Sequence, residues 1–393
     1  MPEKGRFSYE SPIVASEDPY PTYRWMRDED PVHHSRSEDI WVLTRYADCS
    51  AAFRDWRTWS SERRGNLIND IPERVGKTLG TTDPPRHTFA RSIVNKAFTP
   101  KTVAGLEPTI AKHAEDLSRA ARERGVTEVV DEISVPFNAS VLGTMFGVPG
   151  EDFVRLRRWL DDFFKREEAT PGTEPTQVVA MRQLREYLAG LADERLARPG
   201  DDLVSAMLLA EEEGQRLAVE QVVVTTMTFL TAGFESTNNL FTNLVHALAL
   251  HLPVLERLRR QPEQVPAFIE EGMRWDAPTQ GFVRTPTRDV ELHGVTVPEG
   301  SQVLLHIGSA NRDEREFDRA DVLDVDRPNQ RHLGMGQGIH FCVGAPLART
   351  MARALFERLL ESSECWEVDL QDAARVTTPN FRGFQRLSLR LVP

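Results

Sequence analysis

The chain of 393 residues has only three cysteines, Cys49, Cys342 and Cys365, and they lie far apart. No Cys-x-x-Cys pair is present, which argues against a zinc site, and the odd number argues against a disulfide framework. We therefore expect a protein of a reducing compartment, the bacterial cytoplasm.

A surplus of positive charge is also missing. There are 48 lysines and arginines against 60 aspartates and glutamates, a formal net charge of −12. This balance argues against nucleic acid as the main partner, because a phosphate-binding surface needs basic residues. The first 21 residues lack the apolar centre of a signal peptide or membrane anchor. We expect no membrane partner.

Only one long apolar stretch occurs, residues 219–252, and it contains no proline. As one helix, this stretch would extend roughly 45 Å or more. A membrane span is the rival interpretation, but Glu235, Asn238 and Asn239 lie at its middle and would be costly in lipid. The pattern favours a long helix through the core of a large domain.

Helical patterns dominate from residue 83 onward. Residues 83–98 carry Pro85 in a predicted first turn, and residues 103–125 and 181–198 read as amphipathic helices. Residues 167–177 form a polar connection. The sequence thus predicts a mainly α fold with a minor β portion.

Short alternating apolar runs predict strands. They occur before residue 45, in residues 285–307 and around the tail segment RLSLRLV. We expect a single domain over residues 1–393, β-rich at about 1–60 and 285–307 and helical elsewhere.

The segment HLGMGQGIHFCVGAPLART, residues 332–350, surrounds Cys342 with four glycines. An isolated cysteine is more often a small buried hydrophobic residue than a ligand. Here the glycines allow the backbone to approach a flat ligand closely. Nearby amides and the start of the following helix favour a thiolate. This combination suits a soft metal ligand.

The segment resembles the haem-binding loop of the cytochromes P450, Phe-Gly-x-Gly-x-His-x-Cys-x-Gly followed by Leu-Ala-Arg. The matching residues are Gly336, Gly338, His340, Cys342, Gly344, Leu347, Ala348 and Arg349, and Met335 stands where the family has Phe. The resemblance implies the P450 fold, with haem b between the long central helix and the helix after the cysteine. It makes Cys342 the axial thiolate of the iron, which favours O–O cleavage.

Two carboxylates of haem, the propionates, need cationic partners. His87 and Arg91 are four residues apart and share one helix face, for which a solvated basic face is the alternative. The resemblance makes them propionate ligands together with Arg284 and His340. Arginine suits this role because its guanidinium binds a carboxylate at two points.

Glu271 and Arg274 form a Glu-x-x-Arg pair. Such a pair is usually a surface ion pair of small energetic value. The resemblance instead places it inside the protein, joined by Arg327, with a structural role and no chemistry.

The segment AGFESTN lies in the middle of the long helix. Gly233 costs roughly 1 kcal/mol of helix stability relative to alanine, and helix packing is one explanation. By the resemblance, Ala232 and Gly233 leave room over the iron, and Glu235 and Ser236 deliver protons to reduced oxygen. The family more often has Thr where Ser236 stands, and Thr237 follows, so either hydroxyl is a candidate. A mid-helix serine can also bond a backbone carbonyl.

The substrate pocket is predicted from the same resemblance. Its candidate residues are Arg74, Phe164, Thr228, Phe282, Val283 and Phe381, with Phe163 and Phe384 as further apolar candidates. Two segments, GSANRDEREFDRADVLDVDR and QGFVRTPTRDVEL, look nearer to the bacterial subgroup that oxidises small aromatics, including O-demethylation of methoxyarenes. Arg74 and Lys77 are candidates for binding a substrate carboxylate, with solvated loop charges as the alternative.

The resemblance implies a monooxygenase that uses O₂ and two electrons. No Gly-x-Gly-x-x-Gly fingerprint is present, so NAD(P)H would act through a partner protein. A ferredoxin or flavodoxin would dock on the cysteine side, where Arg349 and Arg353 are candidates for a basic patch. The alternatives are a terpenoid, fatty acid or other natural product as substrate, a non-catalytic haem sensor or carrier, and a peroxide-using enzyme.

Overall fold

The computed structural model describes residues 18–68, 74–164, 174–328, 331–361 and 365–392. Thirteen α-helices occur in these ranges. They are α1 (Tyr20–Glu29), α2 (Tyr46–Arg54), α3 (Arg86–Ala97), α4 (Pro100–Arg124), α5 (Val135–Phe146), α6 (Phe153–Phe164), α7 (Thr176–Ala197), α8 (Leu203–Leu209), α9 (Val219–Leu250), α10 (Leu252–Arg260), α11 (Val265–Trp275), α12 (Ile307–Ala310) and α13 (Ala345–Glu361).

Ten strands form three sheets in the same described ranges. The strands are β1 (Val32–Ser35), β2 (Ile40–Leu43), β3 (Trp59–Ser60), β4 (Val126–Glu128), β5 (Gly281–Pro286), β6 (Val290–Leu292), β7 (Val295–Val297), β8 (Gln302–His306), β9 (Cys365–Arg375) and β10 (Phe384–Val392). The sheets have the orders β1-β2-β8-β5-β3, β4-β10-β9 and β6-β7. Among the strands that the structure describes, only β2 and β8 pair in parallel. The predicted mainly α fold with a minor β portion is confirmed.

Helix α9 is the central element. It has 32 residues, a length of about 48 Å, and most of its side chains are buried in the main apolar core. A polar side chain in its middle is satisfied inside the protein: Asn238 Oδ1 accepts a hydrogen bond from Ser134 Oγ at 3.0 Å. Asn138 on α5 also donates to the Phe234 carbonyl oxygen of α9 at 2.8 Å. No described helix is both long enough and apolar enough to cross a bilayer.

The N-terminal part differs from the prediction. Residues 18–60 contain helices α1 and α2 as well as three short strands, so this part is not dominated by strands. The buried face of α1 includes Arg27 beside Tyr23 and Met26. Arg27 donates to the Ser309 carbonyl oxygen at 3.1 Å. Because a charged residue is buried together with the apolar residues of α1, the sequence of α1 lacks the regular apolar pattern of an amphipathic helix.

The polar connection predicted at 167–177 falls largely outside the described residues. Its last two residues, Thr176 and Gln177, already belong to α7. Residues 285–307 contain the end of β5 and the strands β6, β7 and β8.

Candidate haem and substrate site

A cavity lies between the middle of α9 and the loop that precedes α13. From α9 it is lined by Thr228, Ala232, Gly233, Ser236 and Thr237, and from the loop by Met335, Gly336, His340, Cys342 and Gly344. The two segments singled out in the sequence therefore face each other across one space.

The glycines of the cysteine loop have specific backbone roles. Gly336 and Gly338 both adopt the left-handed conformation, with φ values of 67° and 68°, which residues with a side chain rarely occupy. A Cβ atom on Gly338 would also overlap the carbonyl oxygen of Phe53 in α2. The Cys342 amide donates to the Met335 carbonyl oxygen at 2.9 Å. The loop is thus folded tightly and packed against α2.

Cys342 lines the cavity and is exposed to it. Desolvation by the protein atoms around the sulfur raises the pKa of the Cys342 thiol, and the Gly344 and Ala345 amides, together with the charges of Arg91 and Arg349, act in the opposite direction. Helix α13 begins at Ala345, so the sulfur lies at a helix N-terminus, which favours negative charge. A metal cation on the cavity side would complete the stabilisation of a thiolate.

Arg91, Arg284 and His340 line one edge of the cavity, and His87 packs against His340 there. The rings of His87 and His340 lie with their centroids 4.4 Å apart. None of the four forms an ion pair with a described carboxylate, and both histidine Nε2 atoms are buried without a hydrogen-bond partner among the described residues.

Burial and the absence of an ion-pair partner among the described carboxylates lower the pKa values of the residues in this cluster. Burial, with the neighbouring charges of Arg284, His87 and Arg91, lowers the pKa of His340 to about 2. Burial and the Arg91 charge lower the pKa of His87 to about 4. Burial alone lowers the pKa of Arg284 to about 10. Such a cluster needs an anionic ligand, and a group with two carboxylates fits it.

The cavity therefore offers a soft sulfur on one side, small residues on the opposite side, and two arginines and two histidines without an ion-pair partner among the described residues at one edge. These features fit haem b: Cys342 would hold the iron, and Arg91, Arg284, His87 and His340 would bind the propionates. A family model described as Cytochrome P450 matches residues 31–384. The chain belongs to the cytochrome P450 family. It is a monooxygenase of that family with the P450 fold.

Relatives match over nearly the whole P450 chain. Cytochrome P450 109 of Bacillus spizizenii is 33% identical over 380 residues, covering 95% of this chain and 92% of its own. The monooxygenase PikC of Streptomyces venezuelae is 32% identical over 384 residues, covering 95% and 91%. The crystal structure of CYP109E1 from Bacillus megaterium with corticosterone has a TM-score of 0.87 at 31% identity, covering 95% and 98%.

Ser236 and Thr237 line the cavity, whereas the adjacent Glu235 is not among the described residues that line it. Burial, with a smaller contribution from Asp161, raises the pKa of Glu235 to about 7, although a hydrogen bond from Asn239 opposes this. The Asn239 Nδ2 atom donates to Glu235 Oε1 at 3.0 Å. This P450 thus places a carboxyl group that titrates near neutral pH in the middle of its central helix.

The hydroxyls of Ser236 and Thr237 differ in their contacts. Ser236 Oγ donates to the Ala232 carbonyl oxygen at 2.7 Å, the back-bonded geometry that was one of the alternatives. Thr237 makes no side-chain hydrogen bond with any described residue. Both residues line the cavity.

Glu271, Arg274 and Arg327 form a buried cluster. Arg274 and Glu271 are fully buried and joined at two points, with distances of 2.8 and 2.7 Å. Arg327 Nε lies 3.2 Å from Glu271 Oε1, and Arg274 donates to the carbonyl oxygens of Asn311 and Ala320. The cluster ties α11 to the segment that precedes the cysteine loop.

We expect Glu271→Gln to destabilise the P450 by about 3–5 kcal/mol, because two buried arginines would lose their counter-charge. Denaturant unfolding measures this change. The matched control is Asp326→Asn, which removes the exposed partner of Arg257 and should have a far smaller effect. Equal effects of the two variants would contradict the interpretation.

Arg349 and Arg353 do not form the predicted basic patch. Arg349 contacts Glu270 at two points, 2.5 and 2.8 Å, and Arg353 contacts Glu357 at 2.7 Å. Burial would raise the pKa of Glu270, but the contacts with Arg349 and His332 outweigh it and lower that pKa to about 2. The charge of each arginine is therefore balanced by an adjacent carboxylate.

The predicted substrate residues separate into two groups. Arg74, Thr228, Phe282 and Phe381 line the cavity, as does Phe163. Phe98 and Phe229 line it as well, and the sequence patterns did not indicate them. The side chain of Phe164, at the end of α6, lies outside the described part of the chain.

Three of the predicted pocket positions lie elsewhere. Val283 is fully buried and packs in a cluster with Tyr23 and Ile40, because successive residues of a strand point to opposite faces. Phe384 belongs to the main core. Lys77 is exposed and is not among the described residues that line the cavity.

We expect Arg284→Leu to weaken haem retention by about tenfold or more, because a buried charge-assisted contact to a propionate would be lost. Transfer of haem to excess apomyoglobin measures the rate of loss. Arg288→Leu is the control, since Arg288 is exposed on the segment after the same strand. Similar rates for both variants and the wild type would contradict the assignment of Arg284 to a propionate.

Proposed function

We propose that this P450 binds haem b through Cys342 and oxidises a small hydrophobic, ring-containing substrate. The observation that carries the proposal is a single cavity with a thiol on one side and mainly apolar residues, including Phe163, Phe229, Phe282 and Phe381, elsewhere. When bound, the haem supplies the activation of O₂. The protein residues hold the group, admit the substrate and move protons.

Glu235 is the proposed proton donor of the site. Its pKa of about 7 lets it hold and release a proton near neutral pH, as an acid–base residue requires. Ser236 and Thr237 line the cavity beside it, and either hydroxyl can pass a proton toward the oxygen side. Thr237 is the more available of the two, because Ser236 already donates to Ala232.

The first substrate class is a small aromatic compound that is hydroxylated or O-demethylated. Phenylalanine side chains on several wall segments favour contact with an aromatic ring. Arg74 lines the same cavity and would suit a substrate with an anionic group.

A second candidate is a larger natural product. CYP109E1 of Bacillus megaterium was crystallised with corticosterone, and the PksS relative of Bacillus subtilis, 30% identical, is described as a polyketide biosynthesis cytochrome P450. These relatives support a polycyclic or polyketide substrate.

A binding screen separates these candidates. In the haem-loaded protein, a substrate that enters the cavity would shift the absorption spectrum of the haem. We expect this shift with methoxy- or alkyl-substituted aromatics. A shift only with steroids, terpenes or fatty acids would transfer the assignment to the second candidate.

Turnover separates the enzyme from a haem sensor or carrier. We propose that NAD(P)H supplies electrons through a ferredoxin or flavodoxin and that the reaction takes place in the cytoplasm, where the thiols Cys49, Cys342 and Cys365 would stay reduced. A surrogate reductase and ferredoxin with NADH should give an oxidised product from a substrate found in the screen. A protein that binds haem and substrate but forms no product with any surrogate pair would contradict the enzymatic role.

A further inference from the structure

Three chain segments that are distant in the sequence form one wall of the cavity. Asn66 and Leu67 belong to the first, Thr279 and Phe282 to the second, and Phe381 to the third. Thr279 and Phe381 form an isolated antiparallel β-bridge. The relative position of these segments therefore sets the shape of the wall that a substrate meets.

Asn380 links all three segments. Its side chain is buried, and its Oδ1 atom accepts a hydrogen bond from the Ile68 amide at 2.9 Å while its Nδ2 atom donates to the Ile68 carbonyl oxygen at 3.2 Å. Its own carbonyl oxygen accepts from the Gln280 amide at 2.8 Å. Asn380 thus contacts the first segment through its side chain and the second through its backbone, and it directly precedes Phe381.

Asparagine is suited to this position. Its planar amide carries one acceptor and a donor group, so it pairs with both backbone groups of a single residue, as a neighbouring strand would. The first segment is irregular backbone that follows Gly65 in the left-handed conformation. It is also joined to the fold by the Val283 amide, which donates to the Asn66 carbonyl oxygen at 2.9 Å.

We propose that Asn380 is a positioning residue for substrate selection: it holds residues 66–68 against the turn that carries Phe381. Asn380 is not among the described residues that line the cavity, so it acts through Leu67 and Phe381. The proposal rests on the proposed function, because that function defines which substrate is selected. Its test does not depend on the substrate and needs only the haem-loaded protein and small nitrogen ligands.

The test variant is Asn380→Leu, which keeps a similar side-chain volume and removes both hydrogen bonds. The probes are imidazole and phenylimidazole, which bind haem iron through nitrogen and are followed by the absorption spectrum of the holoenzyme. The phenyl group extends the larger probe farther from the iron, so we expect only that probe to contact the wall. We expect the Kd of phenylimidazole to rise about tenfold, as the loss of a buried hydrogen-bonded contact would produce, and the Kd of imidazole to change by less than about twofold.

Two further variants make the result decisive. Asn380→Asp keeps an acceptor for the Ile68 amide but sets a carboxylate against the Ile68 carbonyl, so an intermediate Kd for phenylimidazole is expected. Thr44→Val removes the hydrogen bond that the Thr44 hydroxyl donates to the Pro31 carbonyl oxygen. Thr44 is not among the described residues that line the cavity. This variant should lower Tm without changing either Kd.

The proposal is overturned if Asn380→Leu leaves the phenylimidazole Kd unchanged, or if it weakens both probes equally. Either result would make Asn380 a residue of general stability, like Thr44. Failure of the proposed function would give another result. The Kd values of the two probes would change between the variants as expected, but the wild type would oxidise no substrate.

Discussion

Cys342→Ser should reduce substrate oxidation at least about a thousandfold, a loss of roughly 4 kcal/mol of transition-state stabilisation. Serine has nearly the same size as cysteine, so the substitution should leave the loop intact. Its hydroxyl does not ionise in this surrounding, so it cannot replace a thiolate that donates electron density to iron. Product formation with a surrogate reductase measures the effect.

The matched control for that variant is Cys49→Ser. Cys49 is buried in α2, and its thiol donates to the Leu43 carbonyl oxygen at 3.1 Å. The control therefore tests a buried thiol without proposed chemistry, and it should retain the wild-type rate per bound haem. If Cys342→Ser kept the wild-type rate per haem, the assignment of the axial ligand would be wrong.

Glu235→Gln should lower the rate of product formation about a hundredfold, because the amide has no acidic proton to transfer. Glutamine keeps the shape of glutamate and can still accept the hydrogen bond that Asn239 donates at 3.0 Å. The decisive readout is coupling, the amount of product per NADH consumed, measured across pH. We expect Glu235→Asp to retain part of the activity, whereas a wild-type rate and coupling for Glu235→Gln would refute proton delivery by Glu235.

The same substitution should change how stability depends on pH. The pKa of Glu235 is about 7 in the folded protein, above the usual value of a glutamate, which the unfolded chain keeps. Between these two pKa values the folded state holds a proton that the unfolded state has released, so stability is full at low pH and falls as pH rises toward 7. The loss reaches about 3 kcal/mol. In Glu235→Gln this part of the pH dependence should disappear, as unfolding at several pH values would show.

The sequence predicted the features that depend on local spacing. The loop around Cys342 was indicated because its glycines, its histidine and its cysteine are contiguous. Helix α9 was predicted because a long proline-free apolar stretch must be a buried helix once membrane insertion is excluded. His87 and Arg91 were paired by their spacing on one turn of α3.

Other features depend on contacts between residues far apart in the chain, and no local pattern indicates them. Asn380 pairs with Ile68, and Asn138 supports α9 from α5. Glu270 holds Arg349, so the basic patch expected from the arginines alone is neutralised. Each case is a polar residue whose partner is supplied by the tertiary fold.

The error at Val283 has a different origin. Phe282 and Val283 were both expected in the pocket, but they are adjacent in β5, and a strand cannot present neighbouring residues to the same face. Strand alternation, applied to the sequence, would have assigned Phe282 to one side and Val283 to the other.

The most direct test of the whole account is the difference spectrum of the haem-loaded wild type after reduction and addition of carbon monoxide. Ligation by the Cys342 sulfur as thiolate predicts the strongly red-shifted absorption band that defines this family. A spectrum typical of iron held by a nitrogen ligand, or no haem uptake at all, would contradict it.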